Sequence, residues 1–286
     1  MDDTECSFQN KGLKRDTTDK YYTKPEIVIN CIRIIKDTIR IEKNDLIIEP
    51  SAGNGSFIEG IKSLSNNFLF FDLYPEMSEI IQQDFLQLNN IQQDDVVPLH
   101  IIGNPPFGRQ SSTCIKFIKK CIQFTKIRSI SFILPKSFKK NSLQNRFPLH
   151  FHLVHSSDIP DNSFLVNNIE HNVPCVFQIW EKKEYERVQK EKYKPVNFIF
   201  CKKTEDPDIS FRRVGVNAGF ISTEYENKSI QSHYFIKFNN NYNVIENTKL
   251  LENINFETDN TVGPRSISKQ ELIEKFNSVL TTVPVN

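Results

Sequence analysis

The tetrapeptide Asn104-Pro105-Pro106-Phe107 gathers hydrogen-bond acceptors beside an aromatic face. Each proline fixes its own φ and removes a backbone donor, so the carbonyls here are stiffened and can only accept. The Asn104 side-chain oxygen adds another acceptor, and the Phe107 ring offers a flat surface for stacking. That set suits a planar amide or an aminopurine NH₂ presented edge-on beneath a ring. It can hold an exocyclic amine with its lone pair aimed at an electrophile. An ordinary strand-to-loop turn uses the same residue types, so the reading depends on what surrounds the peptide.

The elements upstream supply that context. Leu46-Ile47-Ile48 is a short apolar run ending in Glu49-Pro50-Ser51-Ala52-Gly53-Asn54-Gly55-Ser56-Phe57, after which Phe57, Ile58 and Ile61 share a helix face. Strand, Gly-rich turn and helix open a doubly wound α/β sheet, whose ligands sit at the carboxyl ends of the strands. Gly53 and Gly55 permit close backbone approach and positive φ. The third glycine of a dinucleotide fingerprint is missing, and no Gly-Lys-Ser/Thr follows to cradle phosphates. The next strand, Phe68–Phe71, ends in Asp72, an acid placed to accept both hydroxyls of a ribose. Asp84-Phe85 then offers an acid and a ring to an adenine, and Leu99–Ile102 leads into the tetrapeptide. Each Asp alone reads as a cap or a solvated turn; together, in order at strand ends, they read as a site.

In that order the motifs resemble the class I S-adenosyl-L-methionine-dependent N6-adenine methyltransferases. Tyr21-Tyr22-Thr23-Lys24-Pro25 is similar to the (F/Y)-x-T-P motif of one branch, with Lys24 inserted before the proline. The order of N-terminal motif, cofactor loop and catalytic tetrapeptide is that of the gamma-type enzymes, and the resemblance spans roughly residues 20–182. It implies that Tyr22 and Thr23 close over the methionine end of the cofactor, and that Glu49, Pro50, Ser51, Ala52, Gly53 and Gly55 line its amino-acid moiety. It further implies Asp72 on the ribose, and Asp84 and Phe85 on the cofactor adenine. Asn104 and the Pro105 carbonyl would accept from the target N6 amine, with Pro106 stiffening the turn and Phe107 stacked on the target base. No general base of high pKa is then required, and catalysis is mostly proximity and polarisation. A target inside a duplex would have to be flipped out.

Net charge is only +1, but its distribution is uneven. From Val96 to Ser157 there is no Asp or Glu, while the span carries ten Lys or Arg and four His. Arg109, Lys136, Lys139, Lys140 and Arg146 within it are candidate phosphate contacts, and the competing reading is a solvated helix face. His150, His152 and His155 lack acidic or Cys partners nearby, so no metal is expected. Six scattered cysteines form no Cys-x-x-Cys pair, and Cys114 and Cys121, seven apart on an expected helix, read as core packing. With no signal peptide and no apolar run near 18 residues, the chain reads as soluble and intracellular, cytoplasmic or nuclear, with no membrane partner.

The expected fold is a doubly wound, seven-stranded, mostly parallel sheet of the class I methyltransferase, Rossmann-like type, with a small mixed, β-rich C-terminal region. Residues 1–19 read as a flexible segment, 20–182 as the catalytic domain, 183–195 as a charged connector and 196–286 as a recognition or clamp region. Phe151–Val154 and Val176–Trp180 are expected to close the sheet as a terminal hairpin. Short strands follow at 197–201, 211–214, 220–222 and 233–238, and Ser268 with Glu271 caps a last helix. Arg212 and Arg213 add candidate nucleic-acid contacts there. The function read from all this is methyl transfer to the N6 amine of adenine in DNA. RNA adenine-N6 methylation is the alternative, as is a non-catalytic methyltransferase-fold subunit that binds nucleic acid. A protein glutamine methyltransferase shares the tetrapeptide but leaves the basic span unexplained. A partner subunit or homodimer is compatible with the chain.

Overall fold

The computed structural model describes residues 21–88, 97–189, 192–239, 243–256 and 265–280. The expected flexible segment 1–19 and the tail beyond Leu280 therefore lie outside the described residues, as does part of the connector. The chain packs as two compact units, one of residues 1–132 and 162–172, the other of residues 133–161 and 173–286.

The first unit begins with β1 (Tyr22–Thr23) and α1 (Pro25–Thr38). The inserted Lys24 takes the N-cap position and Pro25 opens the helix, where its missing N–H costs nothing. Then come β2 (Leu46–Glu49), α2 (Ile58–Leu64), β3 (Asn67–Asp72), β4 (Ile81–Gln82), β5 (Leu99–Gly103), α3 (Ser112–Cys121) and β6 (Ile127–Pro135). Strands β2, β3 and β4 pair in parallel, as do β2 with β5 and β5 with β6. Every residue of β2 and β5 is buried, with no alternation along either strand. That is the signature of parallel strands covered on both faces, and it is why the apolar run at 46–48 is continuous. On α3 the buried stripe is Cys114, Phe117, Ile118 and Cys121, so the two cysteines do pack the core.

Four-residue α4 (Asn141–Gln144) precedes β7 (Phe151–Asp158). The chain then forms β8 (Phe164–Val166) and β9 (Ile169–His171) before β10 (Cys175–Lys182), which pairs antiparallel with β7. The complete sheet has seven strands in the order β4-β3-β2-β5-β6-β10-β7. It is a Rossmann-like, mostly parallel sheet closed by an antiparallel strand, as the sequence led us to expect. The closing pair is not the simple hairpin expected, because 159–174 intervenes. Within it Asn167 and Asn168 both have positive φ (50° and 62°), the requirement of a two-residue type I′ turn. The β8–β9 hairpin so formed pairs through β8 with β1, making a separate three-stranded sheet in the first unit.

The second unit also contains β11 (Phe198–Cys201), β12 (Ile209–Arg212), β13 (Ile221–Ser222) and β14 (His233–Phe238), an antiparallel sheet in the order β11-β14-β12-β13. The strand expected at 211–214 is displaced two residues towards the N-terminus, because the chain leaves the sheet after Arg212 and Val214 forms an isolated antiparallel bridge with Ser266 instead. With α5 (Val244–Glu252) and α6 (Lys269–Leu280) this sheet encloses a core that includes Phe211, Ile236, Leu272 and Phe276. Ser268 and Glu271 cap α6 reciprocally, side chain to backbone in both directions.

Candidate functional site

The carboxyl ends of β2, β3 and β5 surround a cavity of about 400 Å³ in the first unit. Of the residues singled out for a cofactor, Tyr22, Thr23, Glu49, Pro50, Ser51, Ala52, Gly53, Asp72, Asp84 and Phe85 line it, and so do Asn104 and Pro106 of the tetrapeptide. Gly55, Pro105 and Phe107 do not line it. Gly55 serves the turn: its φ is +81°, and a Cβ there would stand 2.3 Å from the Met77 sulfur.

Asp72, at the tip of β3, organises the loop. One carboxylate oxygen accepts the Gly53 N–H and the other the Tyr74 N–H, each at 2.8 Å. The Gly-rich turn is thus tied to the neighbouring strand end, and Gly53 holds φ +55° with the Tyr22 ring against it. The Tyr22 hydroxyl donates to Glu76. Burial, that bond and the negative charge of Glu76 and Asp72 all push its phenol upward.

Glu49, ending β2, is 2% exposed. Its Oε2 is buried without a hydrogen-bond partner among the described residues. Burial, and then the Asp72 carboxylate, push it well above its ordinary value of 4.5. With Glu49, Asp72 and Asp84 the cavity lining carries three carboxyl groups and neither Lys, Arg nor His. Such a lining favours a cationic ligand and opposes a phosphorylated one. A sulfonium compound bearing an α-ammonium group fits it, and the orphaned Glu49 oxygen supplies an acceptor for that ammonium.

Asp84 caps a short turn by accepting the Leu86 N–H at 2.9 Å, and Phe85, 1% exposed, stacks on Phe117 at 5.7 Å. Asn104 is half-buried at the end of β5. Its Nδ2 donates to the Tyr21 carbonyl at 3.3 Å and to Thr23 Oγ1 at 3.2 Å. A carbonyl can only accept, so the nitrogen must lie on that side, leaving the amide oxygen as the acceptor on the other. The Ser51 hydroxyl donates to the Asn104 carbonyl at 3.3 Å, joining the Gly-rich loop to the tetrapeptide. Beyond Phe107 the chain bends sharply, with positive φ at Gly108, Gln110 and Ser111.

Sequence reasoning missed Tyr21, Asn54, Ser56, Phe57, Leu73, Tyr74, Gln83, Leu86, Thr113 and Phe117, which complete the lining. Asn54, Ser56 and Phe57 lie inside the quoted loop, and Tyr74 follows Asp72 closely enough to have been inferred. Thr113 and Phe117 carry no signal beyond the amphipathic spacing of α3.

The basic candidates behave differently. In the second unit Lys136 and Lys139 pair with Asp158, at 3.5 Å for Lys136 and 2.5 Å for Lys139. Lys140 donates to the Ser266 carbonyl at 2.8 Å and lies 3.7 Å from Glu271. Arg213 donates to the Gln231 carbonyl and stacks on Tyr234, 5.4 Å from the ring centre. The run that is free of acids in sequence is met by acids in space. Arg109, in the first unit, and Arg146, in the second, are exposed. His152 and His155 bond to the Tyr185 carbonyl and Ser157, and His150 lies 3.7 Å from Glu186. Among the described residues there is no His, Cys, Asp and Glu grouping suited to a metal ion, and no helix long and apolar enough to cross a membrane.

No protein-family model matches the chain, and no curated protein matches it. Solved structures do. The 23S rRNA methyltransferase ErmE aligns at 12% identity with a TM-score of 0.44, over 59% of this chain and 72% of that one. A dimethyladenosine transferase from Plasmodium falciparum aligns at 13% identity and 0.40, over 58% and 64%. The N-methyltransferase NodS from Bradyrhizobium japonicum WM9 aligns at 10% identity and 0.39, over 56% of this chain and 96% of that one.

Proposed function

We propose that the chain is an S-adenosyl-L-methionine-dependent methyltransferase acting on the N6 amine of adenine in nucleic acid, with DNA as the first substrate to test and RNA as the second. One observation carries the reading: a single cavity is lined by the Gly-rich loop, by the carboxyl groups of Glu49, Asp72 and Asp84, and by the Asn104 amide, whose nitrogen is tied back to Tyr21 and Thr23. S-adenosylmethionine, when bound, supplies an electrophilic methyl group on a sulfonium. Asp72, held by two backbone N–H groups, is the acceptor for ribose hydroxyls. The Asn104 oxygen and the Pro105 carbonyl accept the two N–H bonds of the target amine, which turns its lone pair towards the cavity. Phe107 stacks on the target base and offsets part of the unstacking cost, at about 1–3 kcal/mol. Arg109, exposed one residue past the turn glycine, is the contact for the adjoining phosphate. The 196–286 region is the recognition or clamp element.

The test is transfer of labelled methyl from S-adenosylmethionine to matched DNA and RNA, followed by digestion to nucleosides and mass spectrometry. N6-methyladenosine in one polymer, absent with Asn104→Ala, is the expected result. Label on another base or on protein, or none with cofactor bound, overturns the assignment.

A further inference from the structure

The cavity contains two acids in close electrical contact but in opposite circumstances. Asp72 has a backbone N–H on each oxygen, at 2.8 Å in both cases. Glu49 has no partner on Oε2, is 2% exposed, and is held in place by Gly103, where even a Cβ would come within 3.2 Å of its Cγ. The other ionisable groups on this lining are Asp84, Tyr21, Tyr22 and Tyr74, none of them a cation, and the Tyr22 hydroxyl is committed to Glu76. A second bare carboxylate beside Asp72, out of water and without a donor, is the costliest arrangement the site could adopt.

We propose that Glu49 is protonated in the ligand-free protein and gives up that proton to solvent when the ammonium of an α-amino-acid-bearing ligand enters, so that binding is proton-linked. The O–H bond of Glu49 breaks, the proton passes to the buffer, and the carboxylate left behind pairs with the ammonium. Burial and the Asp72 charge both push Glu49 in the required direction. The inference deepens the cofactor reading above and rests on it. It assigns to Glu49 a specificity role, the choice of ligands with a cationic amino-acid end.

The experiment is titration calorimetry of the full chain with S-adenosylmethionine and S-adenosylhomocysteine, near pH 7, in buffers of differing ionisation enthalpy. At that pH the ligand's α-amino group remains mostly charged. The expected result is an observed enthalpy whose dependence on the buffer corresponds to about one proton released with either ligand. Glu49→Gln should abolish that dependence, and methylthioadenosine, which lacks the amino-acid end, should release none. Affinity should rise with pH by up to about tenfold per unit between the bound and free values of Glu49. Buffer-independent binding by the wild-type chain overturns the inference while leaving the cofactor reading intact. An undiminished release in Glu49→Gln also overturns it, by assigning the proton elsewhere. Absence of binding by either ligand instead overturns the cofactor reading itself.

Discussion

The side-chain nitrogen of Asn104 donates to the hydroxyl of Thr23 across 3.2 Å, although the two residues lie 81 positions apart in sequence. The same nitrogen reaches the Tyr21 carbonyl, so β1 fixes the rotation of the amide. Thr23→Val keeps the shape and removes the acceptor. A neutral hydrogen bond contributes about 0.5–1.5 kcal/mol, so methyl transfer should fall roughly two- to tenfold, and by more than cofactor affinity falls. Thr23→Ser should restore most of the rate. A parallel drop in cofactor binding would mean that Thr23 acts through the cavity wall rather than through Asn104.

Asp72→Asn tests the hub of the Gly-rich turn. Hydrogen bonds to a charged acceptor contribute about 1.5–3 kcal/mol each, and Asp72 receives two from the backbone. Calorimetry should show cofactor affinity reduced roughly ten- to a hundredfold, with a lower melting temperature.

Gly108 has φ +67°, and a Cβ there would lie 2.2 Å from Thr113 Oγ1 and 2.9 Å from the Thr113 backbone nitrogen. Gly108→Ala must therefore displace the turn that follows the tetrapeptide, at a cost above about 1 kcal/mol. Transfer should fail while S-adenosylmethionine still binds, a split read by comparing single-turnover rates with binding isotherms.

Glu49 also makes stability depend on pH. Its folded-state value is raised above 4.5, so between those two values the native state holds a proton that the unfolded chain has released. Unfolding free energy of the ligand-free protein then declines as pH climbs through that window. Glu49→Gln should melt higher than wild type at pH 8, with the difference shrinking towards pH 4.5. Parallel melting curves across the range would contradict it.

Nucleic-acid affinity offers a graded test of the basic residues. Removing one phosphate-neutralising charge lowers the slope of log affinity against log salt by about 0.9. Arg109→Ala and Arg146→Ala, which delete exposed guanidinium groups, should each reduce it by about that amount. Lys139→Ala should reduce it less, since Asp158 already opposes that charge.

The strand ends of the site were legible because each is announced locally. Leu46 to Glu49 shows an uninterrupted apolar run with an acid at its tip, and Asp72 follows a second such run. Asn104 could be read from residue type alone. What holds Asn104 could not, because the Tyr21 carbonyl is a backbone acceptor that any residue would supply. The β8–β9 hairpin left one signal, Asn167-Asn168 between apolar residues, but its pairing with β1 spans too much sequence to be read from a local pattern. The charge of Lys136 and Lys139 was overestimated from sequence for a similar reason. Asp158 ends the acid-free run, and β7 carries it back to them.

The pairing of β1 with β8 has a consequence for the order in which the protein is made. Lys24 and its partner Glu170 are separated by 146 residues. At about 5–20 residues per second on the ribosome, the hairpin emerges roughly 7–30 s after β1. The Gly-rich turn and the acids of β2 and β3 can assemble well before then, but β1, and with it the anchor for the Asn104 amide, must wait. During synthesis the nascent chain therefore passes through a stage in which the Gly-rich turn exists and the anchor of the Asn104 amide does not.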